Sequence, residues 1–275
     1  MKRFASVLAV LALFAVVINS RAVASPTSVT YTGGAPSTVK SEKGVFHMGS
    51  VTFTLSNNVD LIIALSNIST NAPKVDNDIL TAMFFDITPT LQQPLTPTSA
   101  MVTNGPGSEI TGPMYFGNDT IVNGQWAYRG DLEPGSSKSK NAPPGTYGIS
   151  SSSFSKLFGV SDLFSSAEVL NGTKPLSGVQ FGLTDLVALS PNAASNLKKT
   201  DLIQNTIDIV IEGLPSGFTL SDIGDVSFEF GTSIKTGINI PGVLVGQIPE
   251  PSTIMLVAAG LLGAFTLTRA GTRSR

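Results

Sequence analysis

The chain has 275 residues and no cysteine, so it can bury a substantial core but cannot use disulfides, thiolate metal sites or a cysteine nucleophile. Its formal net charge is only −2, yet between residues 26 and 248 there are 11 Lys and Arg against 18 Asp and Glu, a net charge of −7. This acidic body lacks the clustered basic face of nucleic-acid-binding proteins, and its many Gly, Ser, Thr, Asn and Pro residues favour short strands joined by turns.

The first 24 residues have the form of a secretory signal peptide. Lys2 and Arg3 precede an apolar stretch that runs from residue 4 to residue 18. The small-x-small pattern formed by Ala22 and Ala24 is the one that a signal peptidase reads, which predicts cleavage after Ala24. The alternative is an uncleaved membrane helix, for which the apolar stretch is short.

The body, residues 25–247, is predicted to be a single all-β domain after a disordered start. Apolar and polar residues alternate with the period of a half-buried strand at 51–55, 179–183, 207–212 and 226–230. We therefore expect a β-sandwich-like ectodomain, of the jelly-roll or immunoglobulin-like kind.

Other segments of the body carry different patterns. Residues 59–65 and 80–87 are almost continuously apolar, which predicts central strands buried on both faces. The proline-rich segment 88–108 predicts a surface loop or an edge segment. In residues 161–170, Ser161 or Asp162 is expected to cap a short helix.

Residues that could carry chemistry are few. The only histidine, His47, has no G-x-S-x-G elbow to pair with, and its place beside strand residues predicts an exposed strand or turn position. Asp76 and Asp78 are weak candidates for calcium ligands, because the spacing of a known calcium loop is absent. The alternative is a turn in which Asp78 caps the entry to the next strand. The sequence therefore predicts no metal, no cofactor and no catalytic residues.

One aromatic pair is a candidate for glycan binding. Trp126 and Tyr128 fall on one face of a predicted strand, where exposed rings could stack on sugars, although core packing is the commoner fate of a lone tryptophan. The Arg-Gly-Asp tripeptide at 129–131 is attributed to chance. Acceptor sequons for N-glycosylation occur at Asn67, Asn118 and Asn171 and matter only where glycosylation machinery exists.

The C-terminal segment, residues 248–275, has three consecutive parts. Pro249, Glu250 and Pro251 form a triplet in which both prolines lack an amide donor, so the backbone there is expected to stay extended and accessible. Residues 252–268 carry no charge and would span roughly 25 Å as a helix, which predicts a transmembrane segment. Arg269, Arg273 and Arg275 follow and would hold that end in the cytoplasm.

Taken together, the triplet, the apolar run and the basic tail resemble the PEP-CTERM sorting signal of exported bacterial proteins. The resemblance implies recognition and cleavage by an exosortase, with signal peptidase acting during export. It also implies transient residence in the inner membrane of a Gram-negative-type, polysaccharide-producing bacterium, and then location at the cell surface or in the extracellular matrix.

We therefore expect a non-enzymatic exported surface or matrix protein with no nucleic-acid partner. One alternative is a module that binds self-produced exopolysaccharide through Trp126 and Tyr128. Another alternative is a secreted hydrolase, which would use a pair of carboxylates. It is less favoured, because a body with many acidic residues contains close carboxylate pairs in any case.

Overall fold

The structure is a computed structural model that describes residues 26–37, 44–91, 93–103, 107–113, 120–134, 143–154, 156–164, 170 and 176–249. Two predicted segments, the signal peptide at 1–24 and the transmembrane segment at 252–268, lie outside these residues. Within the described part, the chain is all-β, as the sequence predicts, and its strands form two sheets without α-helices.

The described residues contain fourteen strands. In chain order they are β1 (Pro26–Pro36), β2 (Phe46–Ser56), β3 (Asp60–Asn67), β4 (Leu80–Ile87), β5 (Thr96–Val102), β6 (Glu109–Thr111), β7 (Ala127–Arg129), β8 (Tyr147–Ser150), β9 (Leu183–Thr184), β10 (Leu202–Gln204), β11 (Thr206–Glu212), β12 (Ile223–Phe230), β13 (Ile238–Pro241) and β14 (Val243–Pro249). Short 3-10 turns lie between them at Asp76–Asp78, Asn123–Gln125, Val160–Asp162, Leu197–Lys199 and Leu220–Asp222.

The first sheet has the strand order β14-β1-β2-β3-β11-β5. Its long strands alternate between a buried inner face and a partly exposed outer face, as in β11, where Ile207, Ile209 and Ile211 are buried. This alternation is the pattern of an antiparallel sheet with one face toward solvent. The expected disordered start is wrong, because residues 28–36 of β1 pair continuously with β2.

The second sheet has the order β13-β12-β4-β9-β10-β6, and β8 and β7 branch from β4. Every residue of β4 except Asp86 is buried, which confirms the prediction for residues 80–87. Its inner face joins the main core, while Phe84 on its outer face packs in a second cluster with Phe154 and Phe158. Chain segments therefore cover this sheet on the outside.

By contrast, β3 does not fit the two-faced burial predicted for residues 59–65. Leu61, Ile63 and Leu65 are fully buried, whereas Ile62 and Ala64 are only half-buried. The strand is central in its sheet, as predicted, but among the residues that the structure describes no segment covers its outer face as the Phe154 and Phe158 segment covers β4. A continuous apolar run therefore does not distinguish a strand covered on both faces from one covered on a single face.

The two sheets pack face to face around one large core. The ring centroids of Phe53 on β2 and Phe85 on β4 are 5.4 Å apart, and the Tyr31 hydroxyl on β1 donates a hydrogen bond of 2.8 Å to the carbonyl of Ile223 on β12. At Gly49 on β2 a side chain would collide with the ring of Phe228, so glycine allows the sheets to approach closely there.

Three further local predictions meet different outcomes. The predicted strand at 179–183 is wrong, because residues 178–181 form turns and β9 contains only Leu183 and Thr184. Within 88–108, β5 forms an edge of the first sheet, in agreement with the edge alternative. In place of the predicted helix start, the chain makes a 3-10 turn at Val160–Asp162, and residues 165–169 lie outside the described part.

Among the described residues, the chain forms no helix with the length and apolar character needed to cross a bilayer.

Candidate functional site

The predicted aromatic pair lies in the core. Trp126 is fully buried and Tyr128 is 6% exposed, and both belong to the main hydrophobic cluster. The Trp126 indole Nε1 donates a hydrogen bond of 3.1 Å to the carbonyl of Phe181. The two side chains share one face, as predicted, but that face is turned inward, so neither ring offers a surface on which a sugar could stack. The sugar-stacking interpretation of Trp126 and Tyr128 is therefore contradicted.

His47 also lies inside the protein, so its predicted exposure is wrong. It stands near the start of β2 on the inner face, is 1% exposed, and packs on the ring of Phe230 with 5.2 Å between centroids. Its Nδ1 is 3.8 Å from Oδ1 of Asp78. Burial lowers the pKa of His47 despite the opposing effect of the Asp78 carboxylate, so the imidazole is held neutral near pH 7.

The two calcium candidates point to different partners. Oδ2 of Asp78 accepts hydrogen bonds from the amides of Lys74 (2.6 Å) and Val75 (3.1 Å), which closes the turn ahead of β4. Oδ1 of Asp76 instead accepts from the side-chain amide of Asn196 at 2.9 Å. The two hydrogen bonds of Asp78 form the turn-capping arrangement that was the alternative to calcium binding. In the described residues, no three His, Asp or Glu side chains are grouped so that they could hold a metal ion.

The Arg-Gly-Asp tripeptide is folded on itself. Nε of Arg129 donates to Oδ1 of Asp131 at 2.6 Å, and the Arg129 guanidinium also donates to the carbonyl of Leu157 at 3.0 Å. Arg129 and Asp131 line an open surface cavity of about 320 Å³, together with Tyr128 and Ser161. We call it the Arg129 cavity.

Of the three sequons, only the one at Asn67 lies in the described residues. Asn67 is 2% exposed, and its side-chain amide donates to the carbonyls of Leu183 (2.9 Å) and Asp78 (3.3 Å). The hydroxyl of Ser69, the third residue of the sequon, accepts a hydrogen bond from the amide of Met48. Asn67 thus ties the first sheet to the second, and its nitrogen is not available to solvent.

Three buried carboxyl groups, those of Glu229, Asp185 and Asp201, were not found by sequence reasoning. Glu229 on β12 is fully buried, with Oε2 accepting from Asn239 at 3.1 Å, and burial raises its pKa to about 8. Asp185 after β9 is 1% exposed, and burial raises its pKa to about 6. Glu229 lies between Phe228 and Phe230, and this alternation predicts that its side chain faces solvent. The neighbouring residues in the sequence therefore do not predict its burial.

A second cavity, of about 290 Å³, lies on the outer face of the second sheet where β9, β10 and β6 meet. Side chains of the three strands form its floor. Segments around Val187–Leu189 and Lys198–Thr200 form its walls. We call it the β6–β10 cavity; the turn and loop residues of its walls have no periodic signal that sequence analysis could use.

Comparison with known proteins identifies the C-terminal segment. A family model described as the PEP-CTERM protein-sorting motif matches residues 247–270. The match contains the triplet of Pro249, Glu250 and Pro251 and also Arg269, whereas Arg273 and Arg275 lie beyond it. The chain therefore carries a PEP-CTERM sorting motif, which confirms the resemblance and indicates exosortase-dependent sorting of an exported protein.

The comparison with curated proteins found no match to the chain, and neither did the comparison with solved structures.

Proposed function

We propose that this protein is a non-enzymatic component of the bacterial cell surface or extracellular matrix. In this proposal the N-terminal 24 residues direct export and are removed by signal peptidase. Residues 252–268 anchor the chain transiently in the inner membrane, and an exosortase then processes it near the Pro249–Pro251 triplet.

The observation that carries the proposal is the match of the sorting-motif family to residues 247–270. Strand β14 ends at Pro249, which is also the first residue of the triplet. The folded domain and the sorting motif are therefore continuous in sequence, with no intervening linker. Proline at 249 and 251 supports an extended backbone between them, the conformation that proteases bind.

The absence of catalysis is part of the proposal and rests on the surroundings of the candidate groups. A general base must reach the proton that it abstracts, within hydrogen-bond distance of a bound substrate. His47 is 1% exposed and packs on Phe230, which supports a structural role. The carboxylate of Asp78 is likewise engaged by two backbone amides.

The alternative of glycan binding through Trp126 and Tyr128 is not retained, because both rings are buried in the core. A fully buried indole makes no contact with an external polymer, however well its ring would suit stacking. Binding of exopolysaccharide, if it occurs, needs another surface of the domain.

The proposal is tested by intact-mass analysis of the protein purified from its native cells and from their medium. We expect the mature species to begin after Ala24 and to end near residues 249–251. Two variants probe the signal: Glu250→Ala, and the triple replacement of Arg269, Arg273 and Arg275 by Ala. Both are expected to accumulate in the membrane fraction with an uncleaved C terminus.

Glu212→Ala is the matched control, because it also removes one carboxylate but lies exposed at the end of β11. It should mature like the wild-type protein. If the Glu250→Ala and triple-arginine variants reached the medium with the same mass as wild type, the sorting proposal would be wrong.

A further inference from the structure

The floor of the β6–β10 cavity is a row of polar side chains carried by three neighbouring strands. Gln204 on β10 pairs with Glu109 on β6 and, in parallel register, with Thr184 on β9. Because side chains alternate across a strand, these three lie on the outer face, while Ile203 and Leu183 enter the main core on the other face. A carboxylate, an amide and a hydroxyl therefore stand side by side.

The walls of the cavity add one cation and several apolar groups. Lys198 lines the cavity, and its Nζ donates a hydrogen bond of 2.6 Å to the carbonyl of Pro191, which holds the side chain in place. Lys198 and Glu109 carry opposite charges, so the two charged groups of the lining cancel. Val187, which is 41% exposed, and Leu189 supply apolar surface beside the polar row.

Thr184 carries a second and independent sign of a ligand. The residue is 4% exposed and lines the cavity, yet its hydroxyl Oγ1 has no hydrogen-bond partner among the described residues. A buried hydroxyl without a partner is costly, and native structures rarely keep one without a reason. Oγ1 itself is closed to solvent, so a rotation of the Thr184 side chain toward the cavity would be needed for a bound polar molecule to supply the missing partner.

These features define the chemistry of the ligand. It must offer both donors and acceptors, because the floor presents a carboxylate, an amide and a hydroxyl. It must carry no net charge, since the lining has none, and it needs an apolar face for Val187 and Leu189. The volume of about 290 Å³ is at the small end of small-molecule sites, about 300–1,000 Å³.

A sugar ring meets all of these conditions, with hydroxyls at its edge and C–H groups on its faces. We propose that the β6–β10 cavity binds a single residue of a neutral glycan, with Glu109, Gln204 and Thr184 bonding its hydroxyls. This site is separate from the sorting motif, so its failure would leave the proposed export and processing untouched.

Saturation-transfer NMR on the full chain, purified in detergent, tests the proposal. The probes are the methyl glycosides of glucose, galactose, mannose, N-acetylglucosamine and glucuronic acid. At least one neutral glycoside should receive saturation and bind more tightly than the glucuronide. Gln204→Ala should weaken that binding about five- to tenfold, the effect of one lost hydrogen bond. Glu109→Gln should weaken it by a similar factor, because a neutral amide replaces a charged acceptor.

Thr184→Val separates a ligand-binding hydroxyl from a structural one. It removes the hydroxyl at nearly constant volume, so we expect weaker glycoside binding together with a Tm that is unchanged or about 2–4 °C higher. A purely structural hydroxyl would give a lower Tm instead. Ser161→Ala in the Arg129 cavity is the control and should change neither quantity.

Three results would overturn the proposal. One is the failure of every neutral glycoside to bind; another is tighter binding of the glucuronide than of any neutral probe. The third is binding that survives unchanged in Glu109→Gln, a variant at an exposed position that is expected to leave the fold intact.

Discussion

The two sheets use the same core but differ in what covers their outer faces. The first sheet has regular strands and a half-exposed outer face, as the alternation in β3 and β11 shows. The second sheet combines the eight-residue strands β4 and β12 with shorter ones, branches at β4, and is covered outside by the segments that carry Phe154, Phe158 and Leu197. The fully buried Glu229, the nearly buried Asp185 and the β6–β10 cavity all belong to this covered sheet.

This difference indicates which sheet encloses polar groups and cavities beyond those that the fold itself needs. An outer face open to water places its polar side chains in solvent at little cost. A covered outer face instead encloses polar groups and leaves gaps between the sheet and its cover. Buried carboxyl groups are therefore expected on the second sheet, and Glu229 and Asp185 belong to it, whereas the buried His47 lies on the inner face of the first sheet.

The largest expected effect comes from removing an outer-face side chain of the second sheet. Phe84→Ala should lower the free energy of unfolding by about 3–5 kcal/mol, because Phe84 is fully buried between Phe154 and Phe158. Ile62→Ala, on the half-buried outer face of β3, should cost only about 1 kcal/mol. Urea unfolding measures both, and equal losses would refute the contrast between the sheets.

A smaller loss is expected when the polar tie between the sheets is removed. Asn67→Ala leaves the carbonyls of Leu183 and Asp78 without their side-chain donor and should cost about 2–3 kcal/mol. Ser66→Ala, one residue earlier and on the outer face of β3, provides the control, with an expected loss of about 1 kcal/mol or less. A similar loss for both variants in urea unfolding would mean that Asn67 does not hold the sheets together.

The third effect depends on pH and concerns Glu229. Burial raises the pKa of Glu229 from its usual 4.5 to about 8, so the native protein keeps a proton that the unfolded chain has already lost. The free energy of unfolding must then fall as pH rises between these values, by up to about 1.4 kcal/mol per unit. Glu229→Gln removes the titration and keeps an acceptor for Asn239.

Between pH 5 and pH 7, the wild-type protein is expected to lose about 2 kcal/mol relative to Glu229→Gln. Urea unfolding at the two pH values measures this difference. Glu212→Gln, at an exposed position of the first sheet, should change the free energy of unfolding by less than about 0.5 kcal/mol. Parallel pH profiles for wild type and Glu229→Gln would show that the Glu229 carboxyl is not held protonated.

The sequence predicted the strands whose pattern is long and local. β2, β4, β11 and β12 each carry at least seven residues, and their alternation or continuous apolar character identified them. Strands such as β6, β9 and β10 contain two or three residues, too few to show a period. They exist because distant segments pair, as Gln204 does with Glu109, and only the folded chain brings such segments together.

The same reasoning explains the outcome for the candidate sites. The sorting motif was predictable because all of its residues are contiguous. His47 and Trp126 were assigned from neighbours along the chain, whereas their surroundings are decided by Phe230 and Phe181 from other parts of the chain. The β6–β10 cavity combines three separate stretches of the chain, within 109–113, 184–189 and 198–204, so no linear pattern could predict it.

The hydrogen bonds of Asn67 also restrict when a glycan could be attached to this residue relative to folding. An enzyme that attaches a glycan to that sequon must reach a side-chain nitrogen that the native domain already uses twice. Attachment would have to precede folding, and the attached glycan would then prevent the sheets from joining at that point. A folded molecule emerging from the export pathway is therefore unmodified at Asn67, and a glycan found there would mark a chain that never completed its fold.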